Sequence, residues 1–461
     1  MKASTLRLLV ALFVLAISFK ATAQQPKLQY FRGWDKDAIN VFEPTKADDT
    51  PYEGFKIRIG GSFTQNFQSL THENNPTYVP VSTTNPTNRN LLYGVVKAED
   101  SLSATLQGFN LAMANLNFDF QIEDGIRVCL ENYMSARHHN EFWVKGGYIQ
   151  IDKLPMFGNP QWFSDYFRVK IGHFQPNFGD MQFRRSDGGN TMFNPFVENY
   201  ILDAFATEIG GEVYGFLPGG FMAMVGMSSG FINGNIENYP STPQGTNKEV
   251  TKKTPSVFFK LAYDKTFDND FRFRLSASMY NNPSIQRNTL YAGDRTGSQY
   301  FLMMDPALTN GAATTATAQF TSGRFNPGLT NQINSVMINP FIKFKGLEVF
   351  GSYEIAQGRT YAEDLDAKRK FTQLAVEGVY RFLPNESLFV GARYVQASGR
   401  PQGFTDDISI DRLAFAAGWF PSKNLLLKAE VVNQNYKDFP TTDYRNEGKF
   451  NGFVIQAAIG F

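Results

Sequence analysis

Apolar and polar residues alternate along most of this chain with a period of two. Over residues 55–68, Phe55, Ile57, Ile59, Gly61, Phe63 and Phe67 share one face, and Lys56, Arg58, Ser62, Thr64, Asn66 and Gln68 the other. Successive side chains of an extended chain point to opposite sides, so this segment predicts a strand with one apolar and one polar face. The pattern recurs at Leu116, Phe118, Phe120 and Ile122, at Phe271, Phe273, Leu275, Ala277 and Met279, and at Leu374, Val376, Gly378, Tyr380 and Phe382. It ends the chain at Phe453, Ile455, Ala457, Ile459 and Phe461. Sixteen strands are expected, with fourteen or eighteen as the alternatives, near 55–70, 105–122, 126–138, 143–152, 165–175, 203–216, 220–231, 255–266, 270–281, 334–345, 347–358, 370–383, 387–398, 408–420, 424–435 and 448–461. Several exceed the five or six residues usual in a globular strand.

The connections come in two kinds. Short turns occur at Glu123-Asp124-Gly125, Pro218-Gly219-Gly220, Asp268-Asn269, Lys345-Gly346, Pro384-Asn385-Glu386 and Pro421-Ser422-Lys423. Long polar stretches alternate with them, near 71–103, 176–202, 230–254, 281–331, 358–370, 398–408 and 433–449. Short turns at one end and long loops at the other are the plan of a transmembrane antiparallel β-barrel, an all-β fold. An even strand number puts both termini at the short-turn, periplasmic end. Phe120, Phe216, Phe267, Phe271, Phe344, Phe382, Trp419, Phe420 and Phe461 gather beside the short turns, as an aromatic girdle would.

Composition then narrows the compartment. Among 461 residues there are 44 Phe and one Cys, which excludes a disulfide scaffold. Forty-four basic against 43 acidic residues argue against a nucleic-acid partner. Lys2 and Arg7, an apolar run from Leu8 to Phe19 and Ala21-Thr22-Ala23 read as a secretory signal peptide over 1–23. Residues 24–53 form a periplasmic N-terminal lead, a short plug being the alternative, and 54–461 the barrel. An exported chain with no later apolar run of helix-spanning length, and no Cys at the cleavage site for a lipid anchor, points to a multi-pass barrel in the cell outer membrane.

A barrel of sixteen strands is too wide for side chains to fill, so the polar faces should line a water channel. By parity the basic lining is Lys56, Arg58, Arg127, Arg168, Lys170, Lys260, Arg272, Arg274, Lys343, Lys345, Arg381, Arg393, Arg412 and Lys428. The acidic lining is Asp119, Glu131, Glu208, Glu212, Glu348, Glu354, Glu377 and Glu430. The basic excess predicts a mild anion preference. The third loop carries Phe178, Phe183, Phe193 and Phe196 beside paired charges, which suits burial inside the barrel better than exposure to solvent. Its Asp180, Arg184, Arg185, Asp187, Asn190 and Glu198 are the expected pore constriction, where opposed charges would set up a transverse field.

Other chemistry is weakly marked. Gly226-Met227-Ser228-Ser229-Gly230 fits G-x-S-x-G, but a nucleophile elbow needs a strand-turn-helix context and this match ends a strand. His173 has the outward parity of Val169 and Ile171, which suits a rim residue. His138 and His139 are adjacent, so on a strand they would point apart and not chelate. No metal site, cofactor motif or catalytic group is expected.

The segment Phe167-Arg168-Val169-Lys170-Ile171-Gly172-His173-Phe174-Gln175-Pro176-Asn177-Phe178-Gly179 resembles the phosphate-selective porin O and P family, with a basic period-two strand ending in Phe-Gly at the third loop. Thr207-Glu208-Ile209-Gly210-Gly211-Glu212-Val213 is similar to that family's next strand, and terminal Phe461 to the general outer-membrane assembly signal. The resemblance implies a sixteen-stranded homotrimeric porin in a Gram-negative outer membrane, with the third loop folded inward. Phosphate selectivity does not follow, because Glu208, Glu212 and Glu377 interrupt the basic ladder. The expected partners are outer-membrane lipid and small hydrophilic solutes crossing by passive diffusion. The alternatives are a channel specific for small organic anions, phosphate or sugars, and a non-conducting adhesion barrel.

Overall fold

The computed structural model describes residues 25–77, 90–95, 103–138, 141–229, 253–285, 287–309 and 312–461. The expected signal peptide, His139 and Gly230 lie outside the described residues. The barrel strands are β1 (Lys56–Glu73), β2 (Ser103–Glu123), β3 (Ile126–Ser135), β4 (Trp143–Ile151), β5 (Phe167–Phe174), β6 (Glu208–Leu217), β7 (Phe221–Ser228) and β8 (Ser256–Thr266). They continue as β9 (Phe271–Asn282), β10 (Gln332–Phe344), β11 (Leu347–Arg359), β12 (Arg369–Phe382), β13 (Leu388–Gly399), β14 (Ile408–Ser422), β15 (Leu425–Lys437) and β16 (Lys449–Gly460). Each pairs antiparallel with its neighbour in sequence, and β1 pairs β16 to close the barrel. A separate two-residue hairpin, Leu308–Thr309 with Ala312–Ala313, sits in the β9–β10 connection.

The alternation decides which side faces out. On β14, Leu413, Phe415 and Trp419 are exposed, while Arg412, Ala414 and Ala416 are buried. On β16, Phe453, Ile455 and Ile459 are exposed while Val454 and Gln456 are buried. An outer surface of exposed large apolar side chains is the reverse of a water-soluble protein and suits contact with lipid.

The strand boundaries depart from expectation where the chain turns inward. β6 begins at Glu208, because residues 203–207 still belong to the third loop. β3 stops at Ser135 and gives way to a single turn of 3-10 helix, Ala136–His138. Between β4 and β5 a short α-helix, α1 (Gln161–Tyr166), replaces a tight turn. Lys345, expected in the lumen, lies instead in the β10–β11 turn at positive φ and is exposed.

The girdle is also revised. Phe267, Phe344, Trp419 and Phe461 face outward and are exposed, but Phe420 is buried under the Lys36 ammonium, 5.1 Å from its ring centre. The inward faces are not uniformly polar either. Phe341, Phe350 and Phe389 point inward and are almost wholly buried. Segments of chain, not bulk water, cover them.

Candidate functional site

Three segments fill the barrel. The third loop, residues 175–207, crosses from β5 to the opposite wall, and nearly all of its residues from Pro176 to Ala206 are buried or half-buried. At Gly189, with φ of +84°, a Cβ would meet the Met113 carbonyl at 2.8 Å and the Ser62 carbonyl at 3.0 Å, so only glycine lets the loop press against β1 and β2. Phe196 lies under the Arg393 guanidinium at 4.0 Å, and Phe178 packs edge-on against Tyr280.

Each expected constriction residue is engaged in holding this loop. Asp180 takes Arg274 Nε at 2.8 Å and Lys260 Nζ at 2.7 Å. Arg184 binds Glu377 at 2.7 Å and stacks over Phe350. Arg185 binds Asp187 and Asp203, and Glu198 receives Arg324 at 2.6 Å. Asn190 accepts from Ser62 Oγ at 3.4 Å. The structure therefore brings Arg185, Asp187 and Glu198 together with Asp203 and Arg324, while Asp180, Arg184 and Asn190 stand at separate anchor points. Opposed charges were expected to face solvent across a pore. Those of the loop are instead mutually neutralised and buried, because ions withdrawn from water need partners. Burial alone would raise the carboxyls of Asp180 and Asp187, yet the neighbouring cations outweigh it and hold both well below the usual range.

The fifth loop, residues 283–331, also folds inward, which the sequence reading missed. Its Arg324 reaches Glu198, Asp203 and Asp187, Tyr300 Oη donates to Glu430 at 2.5 Å, and Phe325 packs against Phe371 at 5.7 Å. The same signal that marked the third loop, bulky rings at Tyr291, Tyr300, Phe320 and Phe325 in a polar stretch, was present here.

The N-terminal segment is the third. From Gln29 to Lys46 it runs across the short-turn end of the lumen. Gln29 bonds Gln121 and Asp124, Asn40 donates to Glu348 at 2.6 Å, Glu43 meets Lys260 and Arg274 at 2.8 Å each, and Lys46 meets Asp152 at 3.0 Å. Lys423 Nζ holds Asp35 at 3.0 Å. Burial opposes charge on Glu43, but Arg274 and Lys260 draw its carboxyl down to about 2. Arg32 donates to the Phe183 carbonyl at 2.8 Å and has no carboxylate partner among the described residues; burial lowers it to about 9.

The wall cations divide accordingly. Arg393 bonds the Glu198 carbonyl, Arg412 the Asn199 and Gly323 carbonyls, and Lys428 the Asn194 and Phe196 carbonyls. Arg381 pairs with Glu348 and Arg274 with Asp180. Arg274, Arg393, Arg412 and Lys428 anchor loops, Arg381 pairs with a neighbouring strand of the wall, and all five are at most 4% exposed. Arg127 pairs with Asp119, and Arg168 with Asp152 at 2.8 Å. Lys56, Arg58, Lys170 and Arg272 keep partial access to solvent. Ser228 points inward and donates to Glu208, whereas His173 is paired beside outward-facing Ile209, so the two stand on opposite faces of the wall. Among the described residues no group of three metal-ligating side chains occurs.

Open space at the short-turn end is off-centre. A vestibule of about 810 Å³ at the short-turn end is lined by Phe31, Phe42, Glu43, Lys46, Asp264, Arg272 and Arg274. Next to it, a cavity of about 180 Å³ lies between the N-terminal segment, the third loop and the wall from β2 to β6. Its charged lining is Arg32, Arg127, Arg168 and Lys170 against Glu43 and Asp119, and its aromatic lining includes Phe31, Trp34, Tyr148, Phe183 and Tyr214.

The sequence matches no protein-family model and no curated protein. The fold has solved counterparts. The outer membrane channel DcaP of Acinetobacter baumannii superposes with a TM-score of 0.50 at 12% identity, covering 89% of this chain and 99% of that one. A trimer form of OmpT, an outer membrane protein of Vibrio cholerae, gives 0.47 at 10% identity over 89% and 100% of the two chains. An anion-selective porin from Comamonas acidovorans gives 0.47 at 9% identity over 88% and 100%. What the closed sixteen-stranded sheet defines is a multi-pass β-barrel of the outer membrane, with a porin fold.

Proposed function

We propose that the chain is a passive diffusion channel for small hydrophilic solutes, with a mild preference for anions. The observation that carries this reading is the placement of the open space. It follows the wall from β2 to β6, where four cationic side chains meet two carboxylates. Cations that line a narrow, low-dielectric passage lower the barrier for anions and raise it for cations. Polar groups on the wall replace part of a solute's hydration shell, and the inserted segments set the width. No bond is made or broken.

The packed interior favours a narrow, solute-specific passage over a wide general one. Phosphate selectivity, which the O and P family resemblance brings to mind, is the less supported variant, because aromatic rings form much of the cavity wall. The homotrimer belongs to the same proposal. The test is reversal potential across a planar bilayer in a salt gradient. Anion preference is expected, and Lys170→Gln combined with Arg272→Gln should move the potential toward cations. Cation preference in the unaltered protein would overturn the anion reading, and absence of conductance would favour the adhesion barrel.

A further inference from the structure

The wall carries a notch at its long-loop end. β2 pairs with β1 from Ser103 to Gln121, but β3 covers only its lower half and stops at Ser135, opposite Met113. There the chain turns inward: Ser135 Oγ donates to the Thr296 carbonyl at 3.0 Å, and Arg137 to the Ser298 carbonyl at 3.1 Å. The side of β2 that faces away from β1 is therefore unpaired from Ala104 to Ala112. Among the described residues, no backbone group outside β1 bonds to that stretch. Every second residue of a strand turns its N–H and C=O to the same side, so a row of donors and acceptors stands open. The outward face shows where the lipid ends. Ala112, Ala114, Leu116, Phe118, Phe120 and Ile122 are apolar, and above them come exposed Gln107 and Thr105. The apolar stretch, at ~3.3 Å per residue and tilted about 40°, rises about 28 Å, enough for the ~25 Å apolar band. The open edge thus stands above the hydrocarbon, where unpaired backbone is admissible.

Exposed edges are commonly blunted by charge, by proline or by a covering segment. Residues 104–112 contain no charged residue and no proline. An open groove of about 360 Å³ runs beside Thr105 to Asn110, and Tyr93, Phe301 and Leu302 from the connecting loops complete its lining. A Cβ at Gly108 would meet no atom within 4 Å, so the groove reaches the backbone itself. Asn110 is the extra residue of a bulge, and its Nδ2 turns in to Gln68 Oε1 at 2.6 Å, which fixes the lower end of the edge. We propose that this edge takes an extended, uncharged polypeptide strand of a partner protein, paired antiparallel to β2 along the line that β3 abandons. Alternate apolar side chains of that strand face Leu106, Phe301 and Leu302, and the others face water. A charged strand is disfavoured, because the groove carries no charge to meet it. A second copy is the weaker occupant. Barrels standing in one membrane point their β2 strands the same way, which closes the more stable antiparallel pairing to them. The inference is independent of whether the lumen conducts.

The experiment is fluorescence anisotropy on the full-length protein in detergent micelles, with a labelled, end-capped peptide of about seven residues alternating Thr and Val as the probe, a length that the open edge can pair. Saturable binding is expected. Residues of a strand whose side chains share a face also share a backbone edge, so with Val turned inward only one set of amides can pair. One peptide is N-methylated at its Thr amides and another at its Val amides. One of the two should bind at least about tenfold more weakly, the scale of one or two hydrogen bonds, and the other should be spared. No binding of the unmethylated peptide overturns the proposal, as does equal behaviour of the two methylated peptides, whether binding is kept or lost. Gln107→Cys in a Cys129→Ser background locates the site. It should form a disulfide with a peptide carrying Cys in place of a central Thr, while Val431→Cys in the same background should not. Equal cross-linking at both positions overturns the site. Disulfide-linked dimers of the Gln107→Cys protein without peptide would put a second copy on the edge and overturn the partner strand.

Discussion

Glu377 binds two buried arginines at once, Arg184 from the third loop at 2.7 Å and Arg393 from the next strand at 2.6 Å. Removing its charge strands both guanidinium groups in a site that excludes water. Glu377→Gln should therefore cost about 3–5 kcal/mol, the usual penalty for breaking a buried ion pair from one side. A lowered temperature of unfolding in detergent, followed by β-sheet circular dichroism, is the check. Asp305, in the fifth loop, is different. Burial lifts its carboxyl to about 7, with only the Ser322 hydroxyl and the charge of Arg137 acting against this. Tyr436 and Tyr444 are the other titratable groups that sense it. A folded value above the unfolded one means that the stabilisation is complete below the ordinary carboxylate value and is lost as pH rises through about 7. The fifth loop should loosen as pH rises from the ordinary carboxylate value to about 7, read as faster amide exchange over 298–325 after correction for intrinsic rates. Asp305→Asn should remove that pH dependence.

The N-terminal segment, for which the sequence favoured a periplasmic lead with a short plug as the alternative, crosses the short-turn end of the lumen. Gln29, Asn40, Glu43 and Lys46 bind wall residues on β2, β8, β9 and β11 and in the turn after β4. Its alternation is absent, its composition is that of a linker, and only Glu43, Lys46 and the rings of Tyr30 and Phe42 hinted at burial. Deleting residues 27–50 should raise single-channel conductance severalfold if this segment narrows the path, and planar bilayers report this directly. Glu43 has a depressed value, so its contribution is present above the ordinary carboxylate range and fades only as pH falls toward about 2. Acidification from pH 7 to 4 should leave the segment in place, whereas Glu43→Gln should loosen it and increase conductance.

At the scale of the whole molecule the wall is uneven. β5 and β7 have eight residues each and β4 has nine, whereas β12 has fourteen and β14 fifteen. Eight residues at ~3.3 Å, tilted about 40°, reach about 20 Å, short of the ~25 Å apolar band of an outer-membrane barrel. In the proposed homotrimer this low side is the one that another copy would best shield. Ile149→Cys and Ile171→Cys on its outer face should give cross-linked oligomers under oxidising conditions, while Val431→Cys on β15 should not. Monomers alone in all three would count against the trimer.

Period-two alternation by itself pointed to a closed sheet, with sixteen foremost among the even strand counts, and to the face each strand presents to lipid. Those follow from local geometry, since successive Cβ atoms of an extended chain must point apart and an apolar face must avoid water. The buried fate of the third loop was legible too, from Phe178, Phe193 and Phe196 in a polar stretch. Which lumen charges stay free was decided only by the tertiary structure. Parity counts wall residues, but Arg274, Arg393, Arg412 and Lys428 are neutralised or hydrogen-bonded by Asp180, Glu43, Glu198 and backbone carbonyls supplied from loops up to hundreds of residues away. Pairing of that kind depends on where a segment folds in space, and no sequence period encodes it. The basic excess that first pointed to an anion preference is largely the counter-charge of the segments that fill the barrel, and open space lies off-centre beside β2 to β6.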